Sequence, residues 1–240
     1  MPDELSLAFR IIDLLGVALN GVLGGLIARQ RRFDITGFAV LGIISGLGGG
    51  MIRDTLLQSG RPVALADQSY LLCALAGAAV AYLLRIPDRA WQRAWPIADA
   101  LVLGTWAVTG ATKSVAAGLG WLPSLCLGIT SAIGGGMIRD IAVGSVPEVF
   151  GGNRLYATPA LLAAGLTVAG HSLALNGVLV MVVGVLAGSA LAVIAHWRNW
   201  RLPVHGDGTV TMTRTQLASL VRRVERRTLR RRRRREQAED

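Results

Sequence analysis

The heptapeptide Gly-Gly-Gly-Met-Ile-Arg-Asp occurs twice, at 48–54 and again at 134–140. Each copy lies inside a long apolar stretch. There a charged pair is costly, and three consecutive glycines weaken a helix by roughly 1 kcal/mol each relative to alanine. A chain that twice sets helix breakers beside two charges in lipid points to a polar passage through the membrane.

The correspondence extends past the motif. An offset of 86 residues carries Asp13 onto Asp99, Gly24 onto Gly110, Leu41 onto Leu127, Gly42 onto Gly128, Ser45 onto Ser131 and Ser59 onto Ser145. An acidic residue at the same place in the first helix of both units argues for duplication of a unit of about 85 residues.

Composition places the duplication in a membrane. Hydrophobic residues make up 52% and charged residues 17%, and there are 30 glycines in 240 residues, against the ~7% glycine of ordinary soluble chains. Seven apolar runs suit the ~30 Å hydrocarbon core: 11–28, 35–57, 70–84, 97–116, 122–143, 157–169 and 175–196. Pro96, Pro123 and Pro159 stand at or near the starts of the fourth, fifth and sixth, where a missing N–H does little harm. The acidic start Met1-Pro2-Asp3-Glu4 is not that of a cleavable signal peptide, so the first run is expected to span. Cys73 and Cys126 lie within predicted helices, where small buried hydrophobes is the expected role ahead of pairing or metal binding.

Arginines set the orientation. Arg29, Arg31 and Arg32 follow the first run, Arg85, Arg89 and Arg93 the third, and Arg198 and many more the seventh, while the links after the second and fourth hold only Arg61. The positive-inside rule puts the N-terminus outside and the C-terminus in the cytoplasm. Three spans per unit is an odd number, so the second unit enters upside down, the inverted-repeat plan of transport proteins. The expected fold is all-α and membrane-embedded, with seven transmembrane helices. It divides into a first three-helix repeat over 1–93, a second, inverted repeat over 94–172, a seventh helix over 173–197 and a basic cytoplasmic tail over 198–240.

Several residues carry this resemblance to a known family. They are Asp13-x-x-Gly16, the doubled heptapeptide, Asp99-Ala100, Gly110-Ala111-Thr112-Lys113, Gly144-Ser145-Val146-Pro147 and Leu155-Tyr156-Ala157. Over roughly residues 8–197 the chain resembles the prokaryotic TRIC-type cation channels, a domain also catalogued as a glycine transporter. The resemblance implies a homotrimer in the bacterial inner membrane, each subunit holding its own potassium-permeable pore. Potassium or sodium ions are then the permeant partners, and a small-amino-acid transporter is the alternative. Asn20 and Arg154 depart from the family pattern.

Read physically, Gly48, Gly49, Gly50 and Gly134, Gly135, Gly136 fall at mid-membrane, where a kink or break is expected whose freed carbonyls could ligate a cation. The competing reading is that they merely allow close helix packing. Arg53 and Asp54, with Arg139 and Asp140, are the expected pore charges. Adjacent helical residues point ~100° apart, so each pair is expected to find partners on other helices rather than bridge internally; snorkelling to an interface is the alternative for the arginines. Lys113 is a gating candidate or a snorkelled lysine. Asp13 and Asp99 are expected near helix starts, either at a pore mouth or satisfying orphan N–H groups.

The tail over 197–240 holds 13 arginines and 5 acids, so +8 of the chain's +10. Leu217, Leu220, Val221 and Val224 recur at helical spacing after Thr213 or Thr215, ahead of six arginines at 230–235. Such a segment suits anionic lipid head groups or a solvated charge run. Nucleic acid is not an expected partner, since no binding motif accompanies the charge. His171, His196 and His205 lack metal-ligand spacing, and no nucleophile elbow or phosphate loop occurs. No enzyme, metal or cofactor is expected. Cysteines placed at Ser59 and at Gln92 should react with an impermeant thiol reagent from opposite faces of the membrane, and equal labelling from one side refutes the inverted arrangement.

Overall fold

The computed structural model describes residues 2–84, 88–147, 149–150 and 155–201, with side chains from 10–84, 95–147, 149–150 and 155–201 and that of Leu7. The basic tail from 202 onward and Arg154 lie outside the described residues. Eight helices occur among them: α1 (Pro2–Gln30), α2 (Ile35–Leu57), a single turn α3 (Val63–Ala66), α4 (Gln68–Leu83), α5 (Asp88–Ala116), α6 (Trp121–Ala142), α7 (Ala157–Ser172) and α8 (Gly177–Trp197). Four segments are long and apolar enough to cross a membrane: Arg10–Gln30, Ile35–Leu57, Trp121–Ala142 and Gly177–Trp197. The protein is an all-helical membrane protein.

The helix ends follow from local chemistry. Asp34 accepts from the Gly37 N–H at the head of α2, Asp67 from the Ser69 N–H at the head of α4, and Asn176 from Val178 and Leu179 at the head of α8, each relieving an orphan donor. The Ser69 N–H, followed by the Ser69 hydroxyl and Arg10, holds the exposed Asp67 carboxyl below its ordinary range. Arg29 donates to the carbonyls of Tyr82 and Leu84 at 2.8 Å each, so the end of α1 caps the end of α4. Within the apolar segments, hydroxyls of Thr105, Ser114, Thr130 and Thr167 return to carbonyls four residues earlier, the local acceptor a helix offers a serine or threonine.

Helices α1, α2 and α4 pack against one another, as do α5, α6 and α7; α8 lies on α5 and α7, and α2 joins the two groups by packing on α6. At that junction a Cβ on Gly49 would collide with the Ser131 carbonyl and a Cβ on Gly135 with the Ser45 carbonyl. As the number rises on α2 it falls on α6, so the two helices cross antiparallel, with the glycines at the point of closest approach.

Several expectations are corrected here. Helices α2 and α6 run unbroken through their glycine triplets. With no water to take up freed carbonyls, the helical ladder is kept, and the partner helix fills the space that side chains would occupy. The starts of α1 and α5 also lie earlier than the apolar runs suggest, so Asp13 and Asp99 are interior to their helices and cap nothing. Pro96 is inside α5 rather than at its head. Of the cysteines, both are free; Cys73 is half-buried and Cys126 is exposed on the outside of the chain rather than buried.

Gly49→Ala and Gly135→Ala should each lower stability by about 1–3 kcal/mol through overpacking, read as thermal unfolding in lipid nanodiscs. Gly50→Ala and Gly136→Ala, whose added carbons meet only arginine side chains at 3.6 Å, should be tolerated.

Candidate functional site at the crossing of α2 and α6

Because glycines occupy the contact faces, the polar residues one turn later, Arg53 and Arg139, sit on either side of the crossing. Both are buried, at 3% and 7% exposure. A buried guanidinium must be paired, and each takes the nearest carboxylate. Arg53 Nε donates to Asp54 Oδ1 at 2.7 Å, while Arg139 donates through Nε and Nη2 to Asp140 Oδ1 at 2.9 and 2.8 Å. The adjacent pairs therefore do bridge internally, against the expectation from helical geometry. The backbone directions diverge by about 100°, but the long arginine side chain folds back onto the carboxylate of its neighbour.

The first pair also reaches other helices. Arg53 Nη1 donates to Ser131 Oγ on α6 at 3.2 Å, Asp54 Oδ2 accepts from the Val63 N–H at 3.0 Å, and Lys113 Nζ of α5 lies 3.8 Å from Asp54 Oδ1. The Lys113 side chain is 36% exposed, and it borders a cavity of about 400 Å³ with Asp54, Ser59, Arg61 and Val63. The counterpart of Ser131 is Ser45. Its hydroxyl, with that of Thr109, is buried and has no hydrogen-bond partner among the described residues, at a cost of about 1–3 kcal/mol.

Asp13 is buried and accepts from Tyr70 Oη at 2.8 Å and from Trp106 Nε1 at 2.9 Å. These three residues, with Arg53, Asp54 and Ser131, enclose a space of about 20 Å³, enough for one water. In the other half Tyr156 Oη donates to Asp99 Oδ1 at 3.2 Å. The two tyrosine–aspartate pairs have the same separation of 57 residues. Asp99, however, faces a separate cavity against α8. Asp99, Trp106 and Lys113 are spaced by seven, so they share one stripe of α5 at steps of ~10 Å.

The sequence reading thus finds Arg53, Asp54 and Lys113 gathered at one locus, Arg139 and Asp140 across the crossing, and Asp99 apart from both. It missed Tyr70, Tyr156, Trp106 and the serines as polar partners. The tyrosines carried a signal, since they too are 86 residues apart. Trp106 carried a weaker one, midway between Asp99 and Lys113 on the same stripe.

Fold and site define a class: a helical membrane protein with two arginine–aspartate pairs buried beside one antiparallel helix crossing. The chain belongs to the family described as "Glycine transporter", whose model matches residues 10–85 and again 96–172. A UPF0126 membrane protein of Deinococcus radiodurans is 38% identical over 155 residues, covering 64% of this chain and 72% of the relative. The UPF0126 membrane protein YvgT of Bacillus subtilis is 30% identical over 203 residues, covering 82% and 96%. The UPF0126 inner membrane protein YadS of Escherichia coli is 32% identical over 152 residues, covering 63% and 73%. Among solved structures, the TRIC trimeric intracellular cation channel orthologue from Rhodobacter sphaeroides superposes with a TM-score of 0.73 at 30% identity, over 80% of this chain and 98% of that one. A structure described as the basis for conductance through TRIC cation channels gives 0.77 at 26% identity, over 84% and 99%.

Arg53→Met strands the Asp54 charge with only a partly exposed lysine beside it, and should cost about 3–5 kcal/mol of stability. The double change Arg53→Met with Asp54→Asn should cost less than Arg53→Met alone, because no charge is stranded. Lys113→Ala should cost no more than about 1 kcal/mol. Thermal unfolding of the purified protein ranks the three.

Proposed function

We propose that the chain is a monovalent cation channel, potassium-permeable and homotrimeric, with one pore in each subunit beside the crossing of α2 and α6. The observation that carries this reading is the cluster Lys113–Asp54–Arg53–Ser131, which runs from a 400 Å³ cavity to the heart of the crossing. Charges this deep in a membrane helix are costly and mark ion pathways. The likeness to TRIC cation channels at 26% and 30% identity supports it, and the trimeric state of the Rhodobacter sphaeroides orthologue supports the assembly.

In this reading Gly48–Gly50 and Gly134–Gly136 bring the two helices together, and Arg53, Asp54, Arg139 and Asp140 line the path on either side. Asp13, held by Tyr70 and Trp106, forms the constriction, with Lys113 as the gating charge beside it. Two inverted three-helix repeats over 1–93 and 94–172, a seventh span over 173–197, an outside N-terminus and a cytoplasmic tail over 198–240 complete the topology in a bacterial inner membrane. The twofold match of the family model, the antiparallel crossing and the paired tyrosine–aspartate contacts support the repeats. The basic tail is assigned to anionic lipid head groups.

One observation favours the second reading, a carrier for glycine. The space at Asp13 is only about 20 Å³, a narrow point among the described residues of the kind alternating access requires of a carrier. Purified protein in liposomes separates the two: potassium flux that follows an imposed voltage with no glycine movement supports the channel, and saturable glycine uptake with no such flux refutes it. For the channel, Trp106→Asn, which places at this position the residue found at Asn20, should raise cation conductance by about two- to tenfold, and Lys113→Ala should not lower it, since it removes a positive barrier to cations. Single-channel recordings indistinguishable from wild type for both variants move the path elsewhere.

A further inference from the structure

The offset of 86 residues that relates the two halves also relates the two ends of the α2–α6 crossing. At one end the cavity of about 400 Å³ beside Lys113 has Asp54, Leu57, Ser59, Arg61 and Ala117 in its lining. Their counterparts at the other end are Asp140, Val143, Ser145, Pro147 and Arg31, and the counterpart of Lys113 is Ile27. Isoleucine thus stands in place of lysine, proline in place of arginine, and a long arginine in place of alanine.

These exchanges change what each end holds. Ile27 and Val143 pack on one apolar cluster with Phe38 and Leu41, so hydrocarbon fills the place that carries a charge at the other end. Just outside them, Arg31 Nη2 donates to Ser145 Oγ at 2.6 Å. That bond joins the link after α1 to the link after α6, one from each half. At the cavity end the pair in the same places is Ala117 and Ser59, and alanine has nothing with which to reach a serine.

Both partners of the tie stand on fixed helix ends. The Arg31 N–H returns to the Ile27 carbonyl at 3.0 Å and the Phe33 N–H to the Ala28 carbonyl at 2.9 Å, while Arg29 fixes the same end to α4. Gly144, with a φ of 70°, closes α6, and the Ser145 N–H returns to the Asp140 carbonyl at 2.8 Å, a glycine-ended helix stop. One hydrogen bond between exposed groups exchanges readily with water. Opening the tie therefore requires a rotation of the Arg31 side chain and no movement of either helix.

We propose that Arg31, held on Ser145, is the gate at this end of the crossing, with Ile27 and Val143 the apolar plug beneath it. Its role in conduction rests on the path proposed above; the closure of this end does not, and is read without current.

The test is the reaction rate of a cysteine placed at the plug. It uses the full-length protein in lipid nanodiscs, where both faces are open to reagent, in a Cys73→Ala, Cys126→Ala background. The probe is a cationic methanethiosulfonate. Ile27→Cys should react about tenfold or more slower than Lys113→Cys, its counterpart beside the open cavity, and Arg31→Ala or Ser145→Ala should restore about that factor. The two changes together should do no more than either alone, since they remove one shared bond. Arg32→Ala removes an equal charge from the same link and should leave the rate as it was. Val143→Cys reads the plug independently if Ile27→Cys does not fold. Potassium flux into liposomes, raised by Arg31→Ala, ties the gate to conduction. If no protein carries potassium while the thiol rates change as stated, the channel reading fails and the closure stands. The gate is overturned if the plug cysteine reacts as fast as Lys113→Cys, if Arg31→Ala and Ser145→Ala both leave its rate unchanged, or if Arg32→Ala accelerates it equally.

Discussion

Everything in this molecule depends on how closely α2 and α6 approach. Glycine at positions 49 and 135 lets each helix lie against the backbone carbonyl of the other. In lipid no hydrophobic force drives helices together, so such packing must come from small residues. The same approach creates the polar site. Just past the glycines stand Arg53 and Arg139, both buried. Once there, they cannot be left unpaired, which accounts for an aspartate directly after each.

The two sides of the crossing are alike in sequence and unlike in structure. On one side Arg53 reaches across to Ser131, and Asp54 is shared with Lys113. On the other, Arg139 commits two nitrogens to Asp140, and the buried Ser45 hydroxyl has no hydrogen-bond partner among the described residues. The departures explain this. The residue 86 positions before Lys113 is Ile27, and the one before Trp106 is Asn20. The lysine and the tryptophan therefore have no counterpart in the first unit, and from α5 they reach across to its Asp54 and Asp13.

Much of the fold was legible because lipid enforces simple rules. A helix that must satisfy its own backbone shows as an apolar run, and 35–57 matches α2 end to end. The doubled heptapeptide located the crossing. What failed had a common cause: local rules were applied where packing decides. Glycine propensity suggested a break, but the cost of an open ladder in lipid outweighs it. The 100° separation of neighbours argued against Arg53–Asp54 contact, but the guanidinium is on a long flexible stem. Asp13 and Asp99 looked like helix heads because the polar first turns of α1 and α5 fall outside the hydropathic window. Tyr70 and Trp106 were invisible as partners because one aromatic residue in an apolar run reads as core.

The charge balance of the closed cluster bears on how a cation could pass. Around the constriction stand Asp13 and Asp54, and opposite them Arg53 and Lys113, two of each sign. Such a site is close to neutral and does not attract a cation in this state. Arg53 is buried and anchored on two helices, so its displacement is costly. Lys113 is half-exposed, lies 3.8 Å from its partner and faces the 400 Å³ cavity, where its charge can be hydrated at little cost. Under the channel reading proposed above, Lys113 is the cation assigned to move: its withdrawal toward the cavity would give the cluster a net negative charge without disturbing the α2–α6 contact, so that one crossing would serve both a closed and a cation-accepting state.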